Sequence, residues 1–274
     1  MVHVNEVVKR LLSNIPHISE TSDSESVKNK SVELNEPEVK CDFCNSTGLY
    51  KFVGRDGLPD IIPCPRCQSE RMVKSILKQS GLTFSDYARF TFDTFDENRS
   101  ASAREMKNLA LKYFSEFPED VGFGVFGKSG RGKTHICVAL CQAITKKYHV
   151  PHFYFSYTRE MDTLVYLKKF KPLDYQTRLN LWIERENVYI DDLLKLSNKG
   201  GTENICFDQT ETRVLYDLLN GRYWKRNRTF FSSEFTVNQI QAVDEGIGTR
   251  IFMMIDPYGL MVRGGNERLR REIK

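Results

Sequence analysis

Short apolar runs alternate with longer amphipathic segments along the second half of the chain. The runs lie at 122–126, 152–156, 187–192 and 229–233, with a last one near 260–262. Between them, apolar residues recur at helical spacing, as in 135–144 and about 210–225. Strands that alternate with helices favour right-handed crossovers and one parallel sheet with helices on both faces. We therefore predict an α/β fold that begins with a helix at about residue 104.

The N-terminal part of the chain follows other patterns. Apolar residues at helical spacing over 3–15 predict a short amphipathic helix, and the Ser-, Glu- and Lys-rich stretch 19–39 predicts a flexible linker. A tethered helix of this kind docks into a partner groove or against its own neighbouring domain, and the sequence leaves both alternatives open. A further helix is expected from about 70 to 79.

Composition narrows the class of protein. The 274 residues are 40% hydrophobic, which suffices for one substantial domain and a small one. Lys and Arg exceed Asp and Glu only by 40 to 36, so any contact with nucleic acid must depend on a local patch. No apolar run approaches the roughly 18 residues that cross a bilayer. The N-terminus lacks a signal-peptide pattern, so we expect a cytoplasmic protein without a membrane partner.

Residues 127–134 match the phosphate-binding loop G-x-x-x-x-G-K-[ST] at every fixed position. The loop consists of Gly127, Lys128, Ser129, Gly130, Arg131, Gly132, Lys133 and Thr134. It follows a predicted strand and precedes a predicted helix, which is the context that this motif requires. Backbone N–H groups would face the phosphates, Lys133 would reach the β- and γ-phosphates, and the Thr134 hydroxyl would face Mg²⁺. We predict a nucleotide site; the alternative is a glycine-rich turn without a ligand.

Two acidic residues end the apolar run at 187–192. Ligands of open α/β sheets bind at the carboxyl ends of the strands, so Asp191 is expected to hold Mg²⁺, directly or through water. Asp192 is expected to orient or deprotonate the attacking water. A strand followed by a helix cap is the plainer alternative. The loop and the two acids together favour ATP hydrolysis.

Four of the seven cysteines form two C-x-x-C pairs. They are Cys41, Cys44, Cys64 and Cys67, and their spacing is that of a zinc ribbon. Segments 50–53 and 60–62 can form a hairpin between the pairs. Four thiolates around one Zn²⁺ would stabilise a segment too short to build its own core. Disulfides or a redox dithiol are the competing interpretations, and a cytosolic location with two matched pairs favours zinc.

The order of these motifs resembles the DnaC/DnaI family of bacterial and phage helicase loaders from residue 40 onward. The paired cysteines precede Phe90-Thr91-Phe92-Asp93-Thr94-Phe95, the loop with Lys133-Thr134-His135, Ile190-Asp191-Asp192-Leu193, the run at 229–233 and Gly248-Thr249-Arg250-Ile251. The resemblance implies an AAA+ ATPase with ATP, Mg²⁺ and Zn²⁺ as cofactors. It also implies that the protein binds a ring-shaped DnaB-type replicative helicase through its N-terminal region, helps to open the ring around single-stranded DNA, and assembles into a spiral.

The chain departs from that family at two positions and matches a third. Glu234 stands where an Asn usually senses the γ-phosphate. A carboxylate there would repel phosphate unless Mg²⁺ or a Lys intervened, so we expect it to face away. Met254 replaces an arginine that usually acts on a neighbour's ATP, and Arg250, one helical turn earlier, would act between subunits or in an ion pair within its own. Arg268 matches the C-terminal sensor arginine, with Arg270 close enough to compete.

A cationic segment lies between the second and third predicted strands. Lys168, Lys169, Phe170 and Lys171 interleave cations with a ring, and Tyr175 and Arg178 follow. Phosphate pairing combined with base stacking is what sequence-neutral binding of single-stranded DNA requires. A solvated helical face is an equally open alternative.

These patterns divide the chain into four regions. We expect an amphipathic helix and linker at 1–39, a zinc-binding helicase-interaction module at 40–80, a junction at 81–103 and an AAA+ ATPase domain at 104–274. The junction carries Tyr87, Phe90, Phe92 and Phe95, which either cover an adenine ring or pack the edge of the domain.

The motifs and the resemblance together predict an ATPase that loads a DnaB-type hexameric helicase onto single-stranded DNA at the initiation of replication. An IstB-like ATPase that remodels a DNA-bound transposase is the alternative with the same fold. A phage protein that binds and inhibits the host helicase or loader is the alternative from another class. The zinc module favours loading over transposition, whereas Glu234 and Met254 keep the inhibitor open.

Overall fold

A β-hairpin and a helix form the N-terminal module of the computed structural model, which describes residues 39–53, 58–195 and 208–263. Strands β1 (Leu49–Val53) and β2 (Pro59–Pro63) pair antiparallel, as the sequence predicts. Helix α1 (Gln68–Lys78) follows at once. The buried cluster of this module consists of Val39 and cysteines. The predicted helix at 3–15 and the linker up to residue 38 lie outside the described residues.

Five parallel strands form the central sheet, which confirms the predicted α/β class. They are β3 (Phe123–Phe126), β4 (Phe153–Ser156), β5 (Asn187–Leu193), β6 (Arg228–Ser233) and β7 (Gly259–Met261). Their spatial order is β4-β5-β6-β3-β7, and each neighbouring pair is parallel. Every residue of β3 and β6 is buried, as expected for inner strands covered on both faces. Strand β6 therefore lies between β3, which leads into the predicted phosphate loop, and β5, which carries the two acids.

Helices cover both faces of the sheet. They are α2 (Phe84–Arg89), α3 (Ala101–Glu116), α4 (Lys133–Tyr148), α5 (Tyr157–Phe170), α6 (Pro172–Glu184), α7 (Gln209–Trp224), α8 (Val237–Val243) and α9 (Glu245–Ile255). One buried cluster joins the sheet to α5, α6, α7 and α9, and a second joins it to α3 and α4. Among the described residues, no helix is long and apolar enough to cross a membrane.

Local capping explains where several of these helices begin. Side-chain oxygens accept from the first turn at Thr83, Ser100, Asp208, Thr236 and Asp244. Helix α2 was not predicted, although Thr83 and Asp86 form a reciprocal capping box there. Helix α4 (Lys133–Tyr148) is longer than the predicted 135–144, and it is bounded by Gly132 and His149, which both adopt the left-handed conformation.

The segment at 81–103 packs against the sheet domain through its aromatic residues. Tyr87 and Phe95 are buried, and Phe90 and Phe92 are half-buried against the same cluster, so these rings pack the edge of the domain. The Tyr87 hydroxyl lies 2.7 Å from His152 Nε2. Burial lowers the pKa of His152 to about 3, which keeps this ring neutral at physiological pH.

Helix α1 of the N-terminal module packs directly on α4, the helix that follows residues 127–134. In α1, Ser69 Oγ lies 2.7 Å from Nε2 of His149, which ends α4. The Ser80 carbonyl accepts from the Tyr154 amide of β4 at 2.7 Å. Leu77 is buried in the same cluster as the core residues of α4. The N-terminal module and the sheet domain therefore share a packed boundary.

Candidate nucleotide site and metal centre

The turn between β3 and α4 has the backbone of a phosphate-binding loop. Gly127, Gly130 and Gly132 adopt φ angles of 138°, 78° and 82°, which glycine alone tolerates without strain. A Cβ at Gly127 would lie 2.4 Å from the Val262 carbonyl oxygen, so no other residue fits there. The loop is thus built to present backbone N–H groups at a helix N-terminus, which suits phosphate.

Lys133 lies inside this loop. Its side chain is buried, and Nζ donates to the Lys128 carbonyl at 3.0 Å. Burial lowers the pKa of Lys133, and the carboxylates of Glu234 and Asp192 oppose that shift. The ammonium is therefore held among loop carbonyls and acids, where it can neutralise a phosphate that enters the loop.

Asp191 lies at the centre of a cluster of hydroxyl donors. Its Oδ1 accepts from Thr134 at 3.0 Å and from Tyr189 and Ser232 at 2.5 Å. Its Oδ2 accepts from the Tyr154 hydroxyl at 2.8 Å. Asp191 is only 7% exposed, and these four donors engage both oxygens of its carboxylate. Because Oδ1 already accepts three hydrogen bonds, it has little capacity left to bind a metal ion directly. The cluster therefore fits a Mg²⁺ ion that the Thr134 hydroxyl would bind directly and Asp191 would bind through water.

Asp192 follows in a strained conformation. Its φ is 54°, in the left-handed region that non-glycine residues rarely adopt, and β5 changes register between Ile190 and Leu193. The Asp192 amide donates to Ser232 Oγ at 3.1 Å. Burial, followed by the charge of Asp191, raises the pKa of Asp192. A carboxylate with a raised pKa beside the phosphate loop suits the predicted role in activating water.

Glu234 does not face away from the site, so that expectation was wrong. Lys195 Nζ lies 2.6 Å from Glu234 Oε1 and 3.5 Å from Asp192 Oδ2. Against the raising effect of burial, the hydrogen bond and charge of Lys195 lower the pKa of Glu234, and the Ser129 hydroxyl of the loop donates to the same carboxylate. A lysine next to Glu234 satisfies the condition under which a carboxylate can stay near phosphate.

Arg250 is engaged within its own subunit. Its Nε donates to Asn220 Oδ1 at 2.9 Å, Nη2 donates to the Tyr216 hydroxyl at 2.7 Å, and Nη1 donates to the Gly246 carbonyl at 3.1 Å. The guanidinium also packs over the Tyr216 ring. These partners are neutral, so the intrasubunit contact is a hydrogen-bonded one and not the ion pair considered from the sequence.

Position 254, where the resemblance leads one to expect an arginine, carries a buried side chain. Met254 is 6% exposed and packs in the core between the sheet and α9. The position that usually carries an intersubunit arginine is therefore an inward-facing one in this chain. Arg268 and Arg270 lie outside the described residues.

The cationic segment at the end of α5 is only partly exposed. Lys168 Nζ forms an ion pair with Asp217 at 2.8 Å and lies over the Tyr175 ring, while Arg178 pairs with Glu160 at 2.6 Å. Tyr175 itself is buried. The residues that the fold leaves at the surface are Lys169, Phe170 and Lys171, and Phe170 is 68% exposed.

The four cysteines of the N-terminal module converge as predicted. The Sγ atoms of Cys41, Cys44, Cys64 and Cys67 all lie within 4.8 Å of one another. Cys41 Sγ is 3.9 Å from Cys64 Sγ, and Cys44 Sγ is 3.7 Å from Cys67 Sγ. These separations exceed a disulfide bond of about 2.05 Å. They fit the sulfur–sulfur edge of about 3.8 Å that a tetrahedral site with Zn–S bonds of about 2.3 Å requires.

Arg71 supports this cysteine cluster from helix α1. Its Nε donates to Cys67 Sγ at 3.2 Å, and its Nη2 donates to the carbonyls of Ser46 at 2.6 Å and Val39 at 3.3 Å. The guanidinium thereby ties the second cysteine pair to the chain around the first. A cation in this position also offsets part of the negative charge of four thiolates around Zn²⁺.

Several of these residues were not predicted from the sequence. Tyr154, Tyr189 and Ser232 gave no signal, because they meet Asp191 only through the pairing of neighbouring strands. Lys195 could have been predicted. A carboxylate at position 234 requires a nearby cation if it lies close to phosphate, and Lys195 follows Asp191 and Asp192 closely in the sequence.

No protein-family model matches the chain. It is 27% identical over 251 residues to the phage-like element PBSX protein XkdC of Bacillus subtilis (strain 168), a match that covers 89% of this chain and 90% of XkdC. It is 26% identical over 213 residues to the uncharacterised protein YqaM of the same organism, covering 76% of this chain and 65% of YqaM.

The fold is similar to that of solved helicase-loader structures. The DnaC helicase loader matches 65% of this chain and 98% of its own, with a TM-score of 0.53 and 18% identity. DnaI matches 66% of this chain and 95% of its own, with a TM-score of 0.53 and 17% identity. This likeness confirms the predicted α/β fold, a parallel sheet with helices on both faces, and the cysteine cluster adds a module that fits zinc.

Proposed function

We propose that this protein is an ATP-dependent loader that places a DnaB-type hexameric helicase on single-stranded DNA during the initiation of replication. The proposal rests on the presence of a phosphate-binding loop and a four-cysteine cluster in one packed structure. A phosphate loop joined to Asp191 lies in one domain, and the four-cysteine module packs on the helix that follows this loop. The likeness to DnaC and DnaI in fold supports the same conclusion.

The chemistry proposed for the nucleotide site is slow ATP hydrolysis. Lys133 and the loop N–H groups bind the phosphates, and Asp192 orients and deprotonates the attacking water. Mg²⁺, when bound beside Thr134 and Asp191, neutralises charge on the β- and γ-phosphates. The hydroxyl cluster around Asp191 fixes that carboxylate in place, so the site is organised before the nucleotide binds.

The zinc module is the proposed helicase-binding region. Its hairpin exposes apolar side chains on both faces, with Leu49, Val53 and Ile61 on one face and Phe52 and Ile62 on the other. Together with Leu58, we call these side chains the hairpin patch. Val53 is 70% and Leu58 is 64% exposed. Exposed apolar side chains clustered on so small a module are typical of an interaction surface. A rigid hairpin held by metal would present this patch to the helicase without a large loss of conformational entropy.

The proposed contact with single-stranded DNA is the exposed end of α5. Lys169 and Lys171 can pair with phosphates while Phe170 stacks on a base. The Tyr166 ring lies 5.1 Å from the Phe170 ring, between centroids, and enlarges the stacking surface. Subunits are also proposed to self-associate on the helicase, so that several such segments follow one strand.

The proposal is tested by affinity capture with purified DnaB-type helicases, one of them from the host that encodes this chain, with and without ATP. We expect stoichiometric capture of that helicase. A variant with Val53→Ser and Leu58→Ser should lose capture while it keeps nucleotide binding. Capture of a transposase in place of every helicase would contradict loading. Capture of a helicase whose DNA loading is then blocked would identify an inhibitor.

A further inference from the structure

We propose that Lys195 is the residue by which this chain distinguishes ATP from ADP. Its ammonium would contact the γ-phosphate directly and would keep Glu234 from repelling it. This inference rests on the proposed function, because it assigns a specificity-determining residue to the same nucleotide site. The partner of Lys195, Glu234, stands where the sequence resemblance leads one to expect a neutral amide side chain.

The sheet brings Lys195 and Glu234 to the edge that carries the phosphate loop. Leu193 of β5 pairs with Ser233 of β6, so the residues that follow these two strands emerge side by side. Strand β6 also neighbours β3, which leads into the loop. The Ser129 hydroxyl of the loop donates to Glu234. Lys195 is therefore connected to the loop through one carboxylate.

The charges at this edge require a cation beyond the loop lysine. Asp191, Asp192 and Glu234 are three carboxylates whose charges all act on Lys133 of the phosphate loop. Lys195 pairs with two of them, at 3.5 Å from Asp192 and 2.6 Å from Glu234. Because Lys195 and Glu234 form a neutral pair, a γ-phosphate can approach a site that Glu234 alone would make repulsive.

The lysine side chain can make the phosphate contact without giving up its partners. An ammonium carries three N–H donors, so Lys195 can bridge Glu234, Asp192 and a phosphate oxygen. Its side chain is 41% exposed and has a flexible four-carbon stem, which leaves room for the small movement required. ADP lacks the γ-phosphate, so this contact would form with ATP alone. Lys195 would then also fix Asp192 relative to the phosphate that water attacks.

Binding measurements on four variants test this assignment. The variants are Lys195→Met, Lys195→Arg, Glu234→Gln and the double variant K195M/E234Q. Calorimetric titration with Mg²⁺ and either AMPPCP or ADP gives the two affinities, and thermal unfolding verifies that each variant is folded. We expect K195M to weaken AMPPCP binding about tenfold or more and to change ADP binding by less than about threefold. K195R should stay within about threefold of wild type, because it keeps the charge.

The double variant separates direct contact from simple neutralisation of Glu234. If Lys195 touches the γ-phosphate, K195M/E234Q should bind AMPPCP more tightly than K195M, yet at least about threefold more weakly than E234Q. Equal AMPPCP affinity of the double variant and E234Q would overturn the contact. Equal losses for AMPPCP and ADP in K195M would overturn the proposed discrimination.

A second lysine provides a matched control. Lys225 forms a surface ion pair with Glu184 at 3.0 Å. Lys225 precedes the N-terminal end of β6, whereas the phosphate loop lies at the C-terminal ends of the strands. Lys225→Met should leave both affinities unchanged. Wild-type protein that binds neither nucleotide would overturn the proposed function itself. Wild-type protein that binds both, together with a K195M variant that binds AMPPCP equally well, would overturn the inference about Lys195 alone.

Discussion

Thr134 Oγ1 donates a hydrogen bond to Asp191 Oδ1 at 3.0 Å and so joins the phosphate loop to the strand that carries both acids. The two residues are 57 positions apart in the chain, and the parallel sheet brings them together. Because Lys133 lies inside the loop and Asp192 lies one residue beyond the contact, the two side chains should act at different stages of the reaction. Lys133 should bind the ground-state phosphates, and Asp192 should act on the attacking water.

The first prediction separates these two roles. Lys133→Ala should abolish nucleotide binding, because it removes the buried ammonium that neutralises the phosphates. Asp192→Asn should keep binding within a few-fold and lower turnover by about 10² or more, since it removes a base and leaves the phosphate contacts intact. Calorimetric affinity and steady-state phosphate release give the two quantities. Equal loss of binding in both variants would show that the roles are wrongly divided.

The second prediction concerns the metal. Purified protein should contain one Zn²⁺ per chain, and Ser in place of any of the four cysteines should remove zinc and helicase binding while the ATPase domain stays folded. Arg71→Met should accelerate transfer of zinc to a chelator by about tenfold, because it removes the donor to Cys67 and the bridge to Ser46.

Arg66 is the matched control for this experiment. Its guanidinium lies over the Phe43 ring, 4.5 Å from the centroid, so Arg66→Met should leave zinc transfer near the wild-type rate. Less than about half an equivalent of zinc in carefully handled protein would contradict a four-thiolate site, since such sites hold zinc tightly. Identical effects of the two arginine substitutions would contradict a specific role for Arg71.

The third prediction concerns single-stranded DNA. Substitution of both Lys169 and Lys171 by Ala should weaken binding of single-stranded DNA. It should also reduce the steepness of the plot of log binding constant against log salt concentration by roughly 1.4, the value for two lost phosphate contacts. Phe170→Ala should weaken binding without changing that slope, because stacking releases no counterions. Lys168→Ala should leave the slope unchanged and lower thermal stability, since Lys168 is paired with Asp217. Binding isotherms at several salt concentrations measure these effects, and an unchanged slope in the double variant would exclude the site.

The fourth prediction concerns Arg250. Its three hydrogen bonds within the subunit indicate that Arg250→Ala should lower the free energy of unfolding by about 1–3 kcal/mol. Hydrolysis by a mixture of Arg250→Ala and Lys133→Ala proteins should stay at the level of the separate variants. Denaturant unfolding and mixed-subunit turnover provide the measurements. Partial recovery of hydrolysis in the mixture would instead show that Arg250 acts on the neighbouring subunit's nucleotide.

The sequence predicted those parts of the site that are contiguous in the chain. Residues 127–134 and the acids at 191 and 192 form short motifs, and the apolar runs beside them show that each motif lies at the end of a strand. The cysteine pairs were predictable for the same reason. The expectation for Glu234 failed because its partner Lys195 follows a different strand, β5, and the pairing of Leu193 with Ser233 places the two side chains together.

The remaining surprises also arise from tertiary packing. Position 254 points into the core between the sheet and α9, which the helical spacing alone did not reveal. The sequence places Lys168 in a cationic segment, but in the structure Asp217 of α7 forms an ion pair with it. The capping box at Thr83 was visible in the sequence, and attention to it would have predicted helix α2.

The most direct test of the account is loading of a helicase ring onto closed circular single-stranded DNA. A preassembled hexameric ring cannot thread onto a circle without opening, so retention through a high-salt wash and release when the circle is cut report true loading. We predict that wild-type protein with ATP increases retention of the helicase that it captures, and that Lys133→Ala protein does not. Retention that is the same without the protein, or the same with the Lys133→Ala variant, would contradict ATP-dependent loading.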